Sequence, residues 1–371
     1  MDFTAELNEI KKQADWAPEE TKEQLNILQK AVNLIDANNI KTDQAIEIKL
    51  DYIKCATFCN FAKIALPHFS WVLNLIDKKK EGFSFWRVLW QYKWMISNLY
   101  SHSNFPKQKL LELLEDMKKR FLEFSNDNYV IYDYSYQVYD ALGMEKEKSE
   151  NIEKLLASEG GGGMLSDCQA CVINNLVQTL FYDSKFKEFL EISDPIIKGK
   201  QTCGSVPKYT NIRIALSYIF VENDFKKAEK FAKKADKTIT TSENFLSMCS
   251  HSIAYNLIVK NHSQAIKLAN RQMSIYFGAV TDWQKMDYCR AMILLITELK
   301  KENVEWKSLP KITELNNSDE NISTLDFLYS FFKSDYKKII SEFDLRNGND
   351  VFSKREKTFF KNMEHLILKE K

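Results

Sequence analysis

The sequence predicts an all-α fold, a right-handed α-solenoid of antiparallel helix pairs, on three observations. Gly and Pro are scarce: 10 glycines and 6 prolines among 371 residues, about 4% where about 12% is usual. Chains rich in strands and tight turns need those residues for φ > 0 and for fixed-φ corners. Apolar residues recur at intervals of three and four along nearly the whole chain, the period of a helix with one buried face. Turn-then-helix units also recur. Anchored on Glu145, Phe186, Phe225 and His262, they are spaced 41, 39 and 37 residues apart, a length typical of stacked helix pairs. A chain of 371 residues exceeds the size at which one core keeps growing, whereas stacked units bury surface only on their neighbours.

Taken in order, residues 1–40 read as two helices, Ala5–Asp15 and Pro18–Asn38. A helix over 43–65 follows, with Cys55 and Cys59 one turn apart, a spacing best suited to core packing. Trp71, Trp86, Trp90 and Trp94, four of the seven tryptophans, crowd into 71–94. In 107–124, Leu110, Leu111, Leu114, Met117, Phe121 and Leu122 form a stripe opposite Glu112, Glu115, Asp116, Lys118 and Lys119. YVIYDYSYQVY (129–139) has high β-propensity but runs into DALG without a turn signal, which predicts an aromatic-rich helix. LGMEKEKSENIEKLL (142–156) is a loose repeat unit.

EGGGG (159–163) then interrupts the helices, because consecutive glycines cannot stay helical cheaply. The expected organisation is an N-terminal helical region over 1–157, a flexible Gly-rich loop at 158–164 and a repeat region over 165–371, with Ser166 or Asp167 capping the next helix. Further units are DSKFKEFLEISDP (183–195), NDFKKAEKFAKKA (223–235), KNHSQAIKLANRQ (260–272) and KSDYKKIISEF (333–343). A charged helix near Lys354–Lys369 is expected to cap the stack.

Bulk numbers narrow the function classes. Lys+Arg 52 against Asp+Glu 51 leaves a net charge of +1, so no whole-chain field draws in nucleic acid or anionic lipid. The seven arginines, spread singly, make no surface for reading bases or phosphates, and the KKK run at 78–80 reads as a solvated helix end. No apolar run is long enough to span a membrane and no secretory signal is visible. Seven scattered cysteines suit reduced thiols, and the expected location is the cytoplasm.

In 212–235, Ile212, Ala215 and Leu216 lie on one helix, then Phe225, Ala228, Ala232 and Ala235 on a turn and a second helix. This grammar resembles the tetratricopeptide repeat, in which small residues let two helices pack closely and an aromatic plugs the turn. The family's usual Gly is Leu216 here, and the unit is longer than the usual repeat, so the resemblance is to a degenerate form. The segments LPHFSWVLNLID (66–77), LWQYKWM (89–95), LLEDMKKRF (113–121), SDCQAC (166–171) and GKQTCGSVP (199–207) follow one another in order. Together they resemble a bacterial family of tetratricopeptide-like proteins without an established activity. That resemblance implies a helical fold and a bacterial origin and supplies no function.

Two constellations stand out. Cys168-x2-Cys171, with Cys203 31 intervening residues later, is the one metal-like spacing. Thiolates at a helix start suit zinc, but a fourth ligand is not evident, and the same cysteines can be packed thiols or a redox pair. Trp86, Trp90 and Trp94 fall on successive turns beside Arg87 and Tyr92, a stripe that serves either as core or as a partner-binding surface. The glycine run lacks the strand and the Gly-Lys-Ser/Thr end of a phosphate loop. The histidines His68, His102, His251, His262 and His365 form no helical ligand pair, and no nucleophile or base motif appears. The expected function is a non-enzymatic scaffold that binds a protein or peptide partner and no nucleic acid or membrane, a regulatory version included. The alternatives are an immunity or antitoxin-like protein that blocks a partner enzyme, and a zinc protein or enzyme centred on Cys168, Cys171 and Cys203.

Overall fold

Polar side chains start the helices and asparagines stop them. Thr21, Thr42, Asp127, Asp224, Asn261 and Thr324 each accept from the backbone N–H three residues on, satisfying a donor that the first turn leaves orphaned. Helix exits need left-handed φ, normally a glycine's place. Here Asn39, Asn60, Asn223 and Asn303 take that conformation, as do Ser184 and Lys260; a short polar side chain lowers the penalty for asparagine. The low glycine content therefore reflects asparagine-built turns as well as few turns.

The computed structural model describes residues 3–79, 85–125, 127–158, 163–240, 242–307 and 324–368. Among these residues there are eighteen α-helices, one short 3-10 turn and no strand, so the fold is all-α. The chain divides into two compact units, Met1–Ser166 and Asp167–Lys371. Of the glycine-rich loop expected at 158–164, residues 159–162 lie outside the described residues, as does Lys80 of the lysine run.

The first unit contains α1 (Thr4–Trp16), α2 (Lys22–Ala37), α3 (Asp43–Phe58), α4 (Ala62–Lys79), α5 (Phe85–Leu99), α6 (Lys107–Phe124), α7 (Asn128–Leu142) and α8 (Glu145–Ala157). Each helix packs on the next, and the alternate pairs α3 with α5 and α5 with α7 also touch. The helix expected over 43–65 is in fact two. Asn60 at φ 69° and the Phe61 N–H bonded back to the Ala56 carbonyl end α3, so Cys55 and Cys59 do not share an uninterrupted helix face. The aromatic segment 129–139 is helical, inside α7.

The second unit contains α9 (Gln169–Tyr182), α10 (Phe186–Ile192), α11 (Asp194–Ile197), α12 (Asn211–Glu222), α13 (Phe225–Asp236), α14 (Leu246–Ile258), α15 (His262–Gly278), α16 (Asp282–Lys301), α17 (Leu325–Asn347) and α18 (Val351–Leu368). Sequential packing again dominates, with α12 on α14 and α14 on α16 as alternate contacts. Cys168 is the N-cap of α9, while the Ser166 hydroxyl donates to Asp127 instead of capping. KSDYKK (333–338) starts no unit, since it lies inside the uninterrupted 23-residue α17, where no breaking residue occurs. Phe225 is 41% exposed and stays outside the core; Phe186, its counterpart one unit earlier, is buried and stacks on Phe220 at 4.0 Å. The C-terminal helix does more than close an end, because α18 packs on α9, α14 and α16 as well as on α17.

Ala228 is fully buried where α13 meets α12. Ala228→Trp forces those helices apart, and a loss of about 1–3 kcal/mol is expected. Urea denaturation checks this, and a transition unchanged from wild type contradicts the close packing.

Candidate functional site

Three places in the molecule gather chemistry-bearing side chains. On α5, Trp86 and Trp90 stack with centroids 5.6 Å apart, and Trp94 meets Trp90 edge-on at 6.1 Å. The stripe has an internal occupant. Lys93 is fully buried, with its Nζ 3.9 Å from the Trp90 ring centre, 5.3 Å from that of Trp94 and 5.4 Å from that of Tyr134. Its ammonium donates to the Leu165 carbonyl at 2.7 Å. Ring faces supply the negative potential that a buried cation requires, so Trp90 and Trp94 serve this unit's own lysine.

The other members of the expected partner surface are also committed. Arg87 pairs with Glu47 and, at 2.6 Å, with Asp51, tying α5 to α3. Tyr92 does not belong to this surface: it is buried, packs edge-on against Phe69, and donates to Asp116 at 2.8 Å. Trp86 is the most exposed of the five, at 39%. Lys93 escaped the sequence reading, although its place next to Trp94 and three residues after Trp90 on one helix was a usable signal.

In the second unit, α18 lies on α9, α14 and α16 through a buried polar cluster. Arg290 on α16 donates to Asp287 and to Glu356 of α18, both at 2.5 Å. Tyr182 on α9 donates to Asp287 at 2.6 Å, and Tyr336 on α17 to Glu356 at 2.8 Å. Phe359 packs under the Arg290 guanidinium at 4.4 Å and against Phe181 at 5.2 Å. Arg355 donates to Asp183 at 2.9 Å. Lys260 and Lys301 donate to the Ile367 and Leu368 carbonyls, a favourable place for cations at a helix C-terminus. His251 sits among Phe181, Tyr182 and Phe359 with neither ring nitrogen hydrogen-bonded. Burial, together with the Arg213 and Arg290 charges, holds its pKa well below the usual histidine value.

A groove of about 640 Å³ runs between α16, α17 and α18. Ile293, Ile340, Tyr336 and Phe360 form its apolar floor, and Lys333, Lys337, Lys357 and Lys361 its rim. Lys333 is held by the Tyr329 hydroxyl at 3.1 Å; Lys337, Lys357 and Lys361 make no ion pair among the described residues. Two carboxylates also line the groove, Glu356, which pairs with Arg290, and Glu364 beyond Lys361, so above the apolar floor four lysines stand against two acids. Sequence reasoning missed these lysines, yet each pair stands four apart on one helix, a spacing that puts both on one face.

The third place is the cysteine cluster. The Cys168, Cys171 and Cys203 sulfurs all lie within 4.8 Å of one another, Cys171 and Cys203 at 3.5 Å. Cys168 is exposed and the other two half-buried. Burial first, then the neighbouring sulfurs, pushes the Cys171 thiol up. For Cys203 burial acts in the same sense, but the Ser205 and Val206 backbone N–H groups and the Cys171 and Cys168 thiols together outweigh it and bring the thiol below its ordinary value. The remaining cysteines are elsewhere: Cys55 and Cys59 donate to backbone carbonyls of Thr21 and Glu20, Cys249 to that of Leu268, and Cys289 to the Tyr276 hydroxyl. His68 lies beside Lys49 and Asp36, and His262 beside Glu298.

Arg290→Met leaves Asp287 and Glu356 buried without a counter-charge, and a loss of about 3–5 kcal/mol in urea denaturation is expected; adding Glu356→Gln should restore part of it. Titrating from pH 7.5 to 5.5 gives an independent check on His251. Below about pH 6.5 the unfolded chain takes up a proton that the folded chain refuses, so stability falls with pH by up to about 1.4 kcal/mol per unit. His251→Gln should flatten that slope, and an unchanged slope would rule out the buried neutral imidazole. Compared with models of protein families, with curated proteins and with solved structures, the chain matches none.

Proposed function

We propose that this chain is a non-enzymatic, tetratricopeptide-like right-handed α-solenoid that binds a protein partner, and that the partner contributes an acidic amphipathic helical segment. The contacts between alternate helices in each unit support the solenoid reading. The observation that carries the binding reading is the groove between α16, α17 and α18, with its apolar floor and its four lysines against two carboxylates, three of those lysines in no ion pair among the described residues. An amphipathic helix lays its apolar face into such a channel, and carboxylates along its edges meet the rim. Opposite charge then sets orientation and speeds encounter. This moves the binding surface from the α5 stripe, where Arg87 and the rings around Lys93 have internal partners, to the second unit. No helix among the described residues is long and apolar enough to cross a membrane.

Fluorescence anisotropy tests the reading with a labelled synthetic helix that is leucine-rich on one face and glutamate-rich on the other. The expected result is saturable binding that weakens with salt and falls by at least about tenfold, roughly 1.4 kcal/mol, in Lys357→Glu/Lys361→Glu. Both positions are exposed, so the variant should fold. Equal affinity in the variant, or preference for a lysine-rich helix of the same pattern, would refute the assignment.

A further inference from the structure

We propose that Cys168, Cys171 and Cys203 form a three-thiolate site for a thiophilic divalent cation, zinc foremost, whose fourth position opens to solvent. The residues come from two places: Cys168 and Cys171 from the first turn of α9, and Cys203 from the stretch between α11 and α12. Zinc–sulfur bonds of about 2.3 Å at tetrahedral angles separate sulfurs by about 3.8 Å. The observed 3.5 Å between Cys171 and Cys203, with all three sulfurs within 4.8 Å, needs only small side-chain adjustments to reach that triangle.

The surroundings also suit thiolates. The Val206 N–H donates to the Cys203 sulfur at 3.3 Å while the Cys203 N–H donates to the Val206 carbonyl at 2.9 Å. This closes a tight loop around the ligand, and backbone donors to a ligating sulfur both orient it and stabilise its charge. On the α9 side of the site, the Cys171 and Val172 N–H groups turn onto the Cys168 carbonyl, fixing the first turn of α9. Packed thiols need no such convergence: Cys249 and Cys289 are buried singly, each against an oxygen of its own neighbourhood. With three protein ligands among the described residues and Cys168 exposed, the fourth position falls to water or a ligand from outside. Zinc there adds a second tie between the 199–207 stretch and α9, beside the core that Val206 shares with Ala170 and Val177.

The test uses full-length protein, reduced and stripped of metal, titrated with cobalt(II) and then with zinc. One cobalt per chain is expected, with near-ultraviolet thiolate-to-cobalt absorption and the strong visible bands of a four-coordinate ion, both abolished by one equivalent of zinc. Cys168→Ser, at an exposed position that folding does not need, and Cys203→Ser should lose stoichiometric binding; Cys249→Ser should keep it. Zinc should raise the thermal midpoint of wild type and leave that of Cys168→Ser unmoved. Absence of stoichiometric cobalt binding by the reduced wild type overturns the proposal, as does binding that survives Cys168→Ser. A Cys171–Cys203 disulfide that forms in air without any metal binding after reduction overturns it in favour of a redox pair.

Discussion

The Arg290 guanidinium, buried between Asp287 and Glu356, is the contact on which the second unit depends. Through it α16 holds α18, and through Tyr182 and Tyr336 the same cluster reaches α9 and α17. Charges removed from water contribute little net stability even when paired, but a missing partner is severely destabilising. The cluster therefore acts mainly on register. An amphipathic helix held only by Phe352, Phe359, Met363 and Ile367 could slide by a turn and still bury an apolar face. Glu356 and Arg355, each with one matching charge opposite, admit one alignment. That alignment points Lys357 and Lys361 toward α17 and gives the groove its rim.

The first unit meets the same problem with lysines. Lys93 sits among Trp90, Trp94 and Tyr134, and Lys49 lies 4.2 Å from the Trp71 ring centre while pairing with Asp36. Around them, Arg120 clasps Asp77 with two hydrogen bonds and Asp116 with a third, joining α4 to α6. Three of the four tryptophans in 71–94, Trp71, Trp90 and Trp94, thus supply ring faces to buried cations. Leu165, whose carbonyl accepts from Lys93, is itself buried, and a Cβ on Gly163, two residues earlier, would come within 2.8 Å of the Asp127 carboxylate, which would have to shift.

How much of this could be read in the sequence follows from the range of the interactions. Helical periodicity is local, so the stripes of α6 and α13 and even the aromatic α7 were legible. The break at Asn60 was not, because asparagine in a left-handed turn leaves a weaker mark than glycine. Nor was the continuity of α17 through KSDYKK, where a turn-like composition carries no true breaker. At the sites, the Cys168 and Cys171 spacing was visible, but the approach of Cys203 depends on the path of the chain between α11 and α12. The tryptophan stripe was visible too; its use was hidden because what it surrounds is one lysine among many. The Arg290 cluster joins residues from four helices, and no window along the chain contains it.

The central claim is that α18 belongs to the core of the second unit and builds the wall of its groove. Native-state hydrogen exchange measures this directly. The account predicts that amides of residues 355–367 are protected as strongly as those of α14 and α16, opening only with the unit as a whole. Exchange of α18 that is faster by orders of magnitude, with α14 and α16 still protected, would show a detachable tail and contradict it.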